Sequence, residues 1–262
     1  MTSTEPRVRR APPPFRRVTV EAIHLVNPRL VRITFTGPDL DGLIVSDPGA
    51  SIRLLLPPRD APELVIPTWR GNEFLLPGDV KPAIRTFTPS LMAATSCELE
   101  LDVVLHGHGV ASEWAANVRV GDTAAVSGPG RGYTIETNAS GYIIGGDESA
   151  IPAIRQLIVA MPTSIPTRVY IEVASLDTRV ELVQADHVTV EWLASTTGAP
   201  PGTVLADAAI AALISPTTHV WIAGEAAAVQ RVRRHLFTER EFPRAQATIR
   251  GYWKHGRVSA GD

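Results

Sequence analysis

Three short stretches of the 262-residue chain combine side chains suited to binding anions and flat aromatic rings. Arg85, Thr86, Phe87 and Thr88 stand in a row. The guanidinium can bond a diphosphate or an electron-rich ring edge, the phenyl ring can stack, and the threonines offer hydroxyls. Taken alone, RTFT is also an ordinary amphipathic strand. The second stretch, HGHGVASEWA at residues 106–115, starts a helix after a glycine-rich turn. The free N–H groups at such a helix start attract phosphate. His106 and His108 invite a metal reading, but no third histidine or carboxylate stands at ligand spacing, so no metal is expected. In the third, an apolar run ends in Gly145 and Gly146, and Asp147, Glu148 and Ser149 then open a helix. That arrangement again suits a phosphate, and it equally suits a plain strand–helix turn capped by Asp147 or Ser149. HVWIAGE at residues 219–225 repeats the idea, ending in Gly224 and Glu225. No Ser-His-Asp set or carboxylate pair is evident, so no catalytic side chain is assigned.

The elements that must position these residues fall into two kinds. From Val18 to about Ser127 the chain reads as short β segments cut by Pro and Gly: VTVEAIHLV, LVRITFTG, SIRLLLP, AIRTFTPSL, ELELDVVLHG and DTAAVSG. Their spacing predicts a small antiparallel barrel or sandwich, interrupted by one helix over residues 110–118. After GPGRGY and a polar turn at residues 138–141, apolar strands alternate with helices: YIIGGDES, AIPAIRQLIVAM, RVYIEVAS, HVTVEWLA, ADAAIAALI, HVWIAGE and EAAAVQRVRRHLF. Alternation of that kind predicts βαβ units and a mainly parallel sheet. In an open parallel sheet ligands sit beyond the carboxyl ends of the strands, where both glycine turns would lie. The expected layout is a basic, flexible arm at 1–16, a β-barrel domain at 17–138 and a Rossmann-like domain at 139–262.

Composition narrows the classes. With 44% hydrophobic and 20% charged residues the chain is globular, and its 28.2 kDa suits one large domain or two of roughly 100–150 residues. Lys+Arg 25 against Asp+Glu 27 gives a net charge of -2 and no reason to expect nucleic acid as a partner. The single cysteine, Cys97, excludes an internal disulfide and any multi-thiolate metal site. No apolar run approaches the roughly 20 residues of a membrane span, and no apolar stretch follows the basic N-terminus as in a secretory signal. A soluble, cytoplasmic monomer without membrane insertion is expected.

RTFT, VVLHG leading into VASEWA, GPGRGY, IIGGDESAIPAI, WIAGE and the terminal GYWKHGR occur in one order from about residue 17 to residue 257. In that order they resemble the siderophore-interacting protein family, flavoproteins of the ferredoxin reductase-like fold group that reduce ferric siderophores. The resemblance implies an N-terminal antiparallel FAD-binding β-barrel followed by a Rossmann-like parallel-sheet domain for NADPH or NADH. It places the flavin on Arg85, Thr86, Phe87 and Thr88, and flavin and diphosphate on His106, Val110, Ala111 and Ser112. The pyridine nucleotide would lie near Gly146, Asp147, Glu148, Ser149, Gly224 and Glu225. Three departures from the family pattern bear on the diphosphate contacts. Phe87 replaces the usual Tyr, losing a hydroxyl, while Ser90 replaces a common basic residue and the HGHGVAS turn is one residue short.

A ferric catecholate siderophore is a bulky polyanion, so its site needs cations. Opposite unit charges about 4 Å apart attract by about 4 kcal/mol at an effective dielectric of about 20, before desolvation. The positions matching the family's cations are Arg53, Arg131 and Lys254, with Arg257 as a fourth. Tyr252 and Trp253 are expected to pack the C-terminal strand or flank the flavin. Asp177 and Arg179 pull in opposite directions on the choice of nucleotide, so donor preference is not legible. The implied reaction carries a hydride from NAD(P)H to flavin and single electrons to ferric iron, which hard oxygen ligands then release as ferrous iron. Two other readings remain: a general NAD(P)H flavin reductase or ferredoxin reductase-like electron-transfer protein, and a non-catalytic siderophore- or flavin-binding protein. Ferredoxin in place of the pyridine nucleotide stays open as a partner.

Overall fold

The computed structural model describes residues 11–57, 63–93, 97–107 and 109–256; His108 and Arg257 lie outside the described residues. The first half comprises β1 (Arg16–Asn27), β2 (Leu30–Thr36), β3 (Ile52–Leu56), the short pair β4 (Thr68–Trp69) and β5 (Phe74–Leu75), β6 (Ala83–Phe87), β7 (Pro89–Ala93) and β8 (Glu98–Val104). Helix α1 (Val110–Ala115) and β9 (Thr123–Ser127) complete it. Seven of these strands form one sheet in the order β6-β3-β9-β1-β2-β8-β7, every pairing antiparallel. Alternating side chains fill its interior: Ile33 and Phe35 from β2 meet Leu54, Leu99, Leu101 and Val126. Each such side chain contributes roughly 1.5–3 kcal/mol on burial.

AIRTFTPSL, which reads as one run, is two strands at opposite edges of that sheet. The chain turns the corner at Thr88, and the sheet therefore curls until its edges meet there. Pro89 has no N–H for a ladder on both sides, and the first position of a strand is where it fits. The expected arm is held from Pro13 onward. The Ser127 hydroxyl donates to Pro13 O at 2.6 Å, Phe15 packs edge-on against Phe74 at 5.1 Å, and Arg16 already pairs with Val126. Helix α1 stops at Ala115, short of the expected residue 118. There the Asn117 amide donates to Glu113 O at 2.7 Å and takes a carbonyl that another turn would use.

The second half runs β10 (Gly141–Asp147), α2 (Ile151–Ala160), β11 (Thr167–Val173), β12 (Val188–Ala194), α3 (Thr203–Ala211), β13 (Thr218–Glu225), α4 (Ala226–Arg234) and β14 (Ala247–Trp253). Its five strands lie in the order β12-β11-β10-β13-β14, all parallel. One face packs Ile144 and Trp221 against Ile154, Leu157 and Ile158 of α2. The other packs Ile143 and Ile222 against Leu205 of α3 and Val229 and Val232 of α4. Central β10 is buried on both faces, which is why YIIGGD carries no alternation. Among the described residues no helix is long and apolar enough to cross a membrane.

Helix α2 and the ends of the first sheet join the halves. Gln156 accepts from Gly49 N at 2.8 Å and donates to Pro89 O at 2.6 Å. Arg29 grips Glu148 through both carboxylate oxygens at 2.7–3.0 Å, and that hydrogen bonding holds the Arg29 pKa above its ordinary value. Asp102, whose side chain is fully buried, receives Arg32 at 2.7 and 2.9 Å and Arg155 at 3.4 Å. Burial lowers the Arg155 pKa despite this neighbour.

Candidate functional site

The barrel corner supplies the first part of the site. In the β3–β6 ladder Phe87 faces Ile52, Thr86 faces Arg53 and Arg85 faces Leu54. Period-two alternation puts half-buried Arg85 and Phe87 on the barrel face with Ile52 and Leu54, and puts Thr86 beside Arg53 on the other. The RTFT side chains are therefore split between two faces, and only Arg85 and Phe87 share one. Arg85 is steadied by a 3.1 Å bond from Nη1 to Ile84 O. Thr88, at the corner itself, is buried and hydrogen-bonded to Tyr252. Burial raises the Tyr252 pKa, and the Thr88 bond opposes the rise. Two residues on, the buried Ser90 hydroxyl has no hydrogen-bond partner among the described residues.

His106 and α1 form the second part. Gly107 and Gly109 both take φ +78, a region costly for any residue with a Cβ, which explains the glycines of HGHG. Ser112 is buried and accepts a 3.0 Å bond from His106 N, so its hydroxyl holds the turn. Val110 and Ala111 pack against the barrel core and leave their backbone at the helix start. Stacking of Trp114 on Phe35, with ring centroids 6.3 Å apart, fixes the helix on the barrel.

The third part lies at the carboxyl ends of β10 and β13. Gly146 is required by packing: a Cβ there would come within 2.4 Å of Ala150 Cβ. Asp147 is buried and accepts four hydrogen bonds. Oδ1 takes Ser149 N at 3.0 Å and Ser149 Oγ at 2.5 Å, while Oδ2 takes Glu225 N at 2.9 Å and Trp253 Nε1 at 2.8 Å. Burial pushes its pKa up against the pull of these donors. Glu225 caps α4 through Ala227 N at 2.6 Å and Ala228 N at 3.0 Å, and receives His255 N at 3.1 Å. Glu148 is committed to Arg29 at the domain junction. The carboxylates of Asp147, Glu148 and Glu225, expected beside a nucleotide, are thus all engaged by the protein itself. Ser149 N and Oγ and Glu225 N are likewise taken up by Asp147.

The segment GYWKHG ties the parts together. Tyr252 meets Thr88. The Trp253 ring stacks on His106 with centroids 6.1 Å apart and planes 19° apart, while its N–H reaches Asp147. Lys254 follows, exposed. Arg131 is exposed on a loop pressed against the start of β3, where Gly130 N donates to Ser51 O at 2.6 Å and a Cβ on Gly132 would meet Asp47 Cβ at 2.3 Å. Arg53 pairs with Ser127 at the base of that loop, so Arg53 and Arg131 come from adjoining segments. Arg53, Arg131 and Lys254 form no ion pair among the described residues. Sequence reasoning missed Glu172, buried on β11, which receives Ser195 Oγ at 2.8 Å, Gly202 N at 2.9 Å and Leu205 N at 2.8 Å and so caps α3. A lone carboxylate inside the apolar run RVYIEVAS was the available signal.

The donor set fits a flavin dinucleotide. A guanidinium and an aromatic ring share one face of β6, α1 starts without a side-chain cap, and the buried Ser90 hydroxyl has no partner among the described residues. Comparison with known proteins agrees. Residues 19–133 match the siderophore-interacting FAD-binding domain and residues 139–256 the siderophore-interacting protein family. The chain is 30% identical to ferric vibriobactin reductase ViuB of Vibrio cholerae over 88% of its own length and 86% of that protein's. It is 28% identical to the NADPH-dependent ferric-chelate reductase of Escherichia coli, over 91% and 92%. The crystal structure of a siderophore utilization protein from T. fusca superposes with a TM-score of 0.83 at 29% identity, covering 96% of this chain and 97% of that one. Ferredoxin reductases at 14% and 17% identity share the fold alone.

Proposed function

Because the chain belongs to the siderophore-interacting protein family, we propose that it is an FAD-dependent ferric-siderophore reductase that draws electrons from NADPH or NADH and releases ferrous iron in the cytoplasm. One observation carries the reading: GYWKHG lays Tyr252 on Thr88 and Trp253 between His106 and Asp147. A single segment thereby joins the barrel corner suited to a flavin with the strand ends suited to a nucleotide.

FAD, when bound, supplies the conversion of a hydride into single electrons that ferric iron can accept. Arg85 would hold its diphosphate by charge-assisted bonds, and Phe87 would offer a ring face without the hydroxyl of a tyrosine. Thr88 and His106 are held in place by Tyr252 and Trp253. The pyridine nucleotide would meet the backbone of residues 146–149 and 224–225, whose carboxylates are turned inward. Arg53, Arg131 and Lys254, together with Arg257 beyond the described residues, would draw in an anionic ferric complex. The name of the Escherichia coli relative favours NADPH as donor.

Steady-state oxidation of NADPH and NADH, with ferrous iron trapped by a chromogenic chelator, tests this. Oxidation that accelerates with a ferric catecholate and yields ferrous iron is expected. Oxidation indifferent to the siderophore would instead make the protein a general flavin reductase, and no turnover with either nucleotide would point to ferredoxin or to a binding role.

A further inference from the structure

We propose that Asp147 is a positioning residue of this site: its buried carboxylate fixes the Trp253 indole against His106 and so sets the aromatic wall between barrel and parallel sheet. A capping aspartate at a strand–helix turn needs one oxygen, and Oδ1 does that work with Ser149. Oδ2 points the other way, across β13 to β14, and accepts from Glu225 N and Trp253 Nε1. Two further features of the chain serve that second oxygen. Gly224 makes room for it, since a Cβ there would stand 2.6 Å from Oδ2. In the β13–β14 ladder Gly224 pairs with Gly251 but Glu225 pairs with Trp253, so Tyr252 is an extra residue. Bulges of this kind re-aim side chains. Here Tyr252 is sent to Thr88 and Trp253 to Asp147, where strict alternation would have given each a different neighbour. The His255 N–H bond to Glu225 clamps the segment just beyond.

The inference rests on the flavin reading for its functional consequence, though the Asp147–Trp253 link does not. Asp147→Asn keeps the shape but replaces one acceptor oxygen with a donor, leaving Trp253 Nε1–H or a backbone N–H unmatched. Trp253→Phe removes the same N–H and keeps a ring. Gly224→Ala leaves both partners and crowds the carboxylate, covering the case in which Asp147→Asn does not fold. The FAD-loaded proteins would be compared by flavin emission, by visible band position and by kcat and KM with NADPH and a ferric catecholate. The tryptophan emission of the FAD-free proteins would be read beside them. The expected result is that each variant moves flavin emission in the same direction and lowers kcat several-fold with KM little changed. The Asp147→Asn, Trp253→Phe double variant should be no worse than the poorer single, as for residues acting as one unit. Effects that multiply, or an Asp147→Asn protein whose flavin and tryptophan signals match the parent, would reduce Asp147 to a turn cap. A protein that takes up no FAD would defeat the proposed function, and the tryptophan emission would still decide the link.

Discussion

Arg85 and Lys254 represent the two kinds of residue this site needs, one half-buried against the barrel and one in solvent. Replacing Arg85 with Ala removes the cation on the Phe87 face of β6, and the purified protein should be colourless; stoichiometric FAD retained in the variant would take Arg85 out of the flavin site. Lys254→Ala should raise KM for an anionic ferric siderophore and leave flavin content unchanged. Because Lys254 is exposed, its contribution should also shrink between low and high salt. Loss of flavin from that variant would contradict its assigned role. Asp147 has a signature in pH. Its folded pKa is raised by burial, so the native chain holds a proton that the unfolded chain releases at lower pH. Its contribution to stability is therefore complete below the ordinary aspartate range and is lost as pH rises through the raised value. The melting temperature of the parent relative to Asp147→Asn should fall over that interval, and a flat difference would contradict the shift. RTFT, the glycine turns and GYWKHG were legible because their residue types announce charge, stacking or tight turns. The partners of Glu148 and Glu225 were not. Both stand in a motif that favours anion binding, and only the fold reveals Arg29 and the α4 N–H groups beside them.

Local pattern fixed most elements, and the misreadings have local causes. β2 and β10 were plain in the sequence, one by alternation and the other by an unbroken apolar run. The run AIRTFTPSL concealed a corner because Thr88 and Pro89 are both acceptable in extended chain, and only the pairing of β6 with β3 and β7 with β8 separates them. β4 and β5 are two residues each and leave no periodic trace. Helix α3 has weak ends of its own, and Gly202 precedes it with φ +79 and no side-chain cap. Glu172 supplies the missing cap from the neighbouring strand. Glu172→Ala should cost about 1–3 kcal/mol in chemical denaturation, since it strands Gly202 N and Leu205 N without acceptors. An unchanged midpoint would mean that other groups satisfy them.

Across the whole molecule the two halves meet through both apolar and polar contacts: Leu30, with Val26 and Val104 beside it, packs into the core cluster of the parallel sheet and α2, and hydrogen bonds fix the register of that junction. Gln156 bridges Gly49 and Pro89, Arg29 holds Glu148, and Asn27 donates to Thr178 O at 2.7 Å. The first two connect the barrel to the first strand–helix unit of the parallel sheet, the same unit that carries Asp147, and the third reaches the turn after β11. Sequence reading could place a barrel before a Rossmann-like half, but it had no means of pairing residues separated by 107 or 119 positions. Glu148→Ala should slow electron transfer between nucleotide and ferric substrate more than it reduces FAD content, because it loosens the junction and leaves the Arg85 face intact. Equal loss of both would show that the junction supports the barrel itself. The most direct test of the account is an anaerobic visible spectrum of the purified protein, recorded before and after NADPH, NADH or reduced ferredoxin and then a ferric siderophore. Flavin bands that bleach with a pyridine nucleotide and return with the siderophore as ferrous iron appears are the predicted result; a colourless protein that takes up no FAD would contradict it.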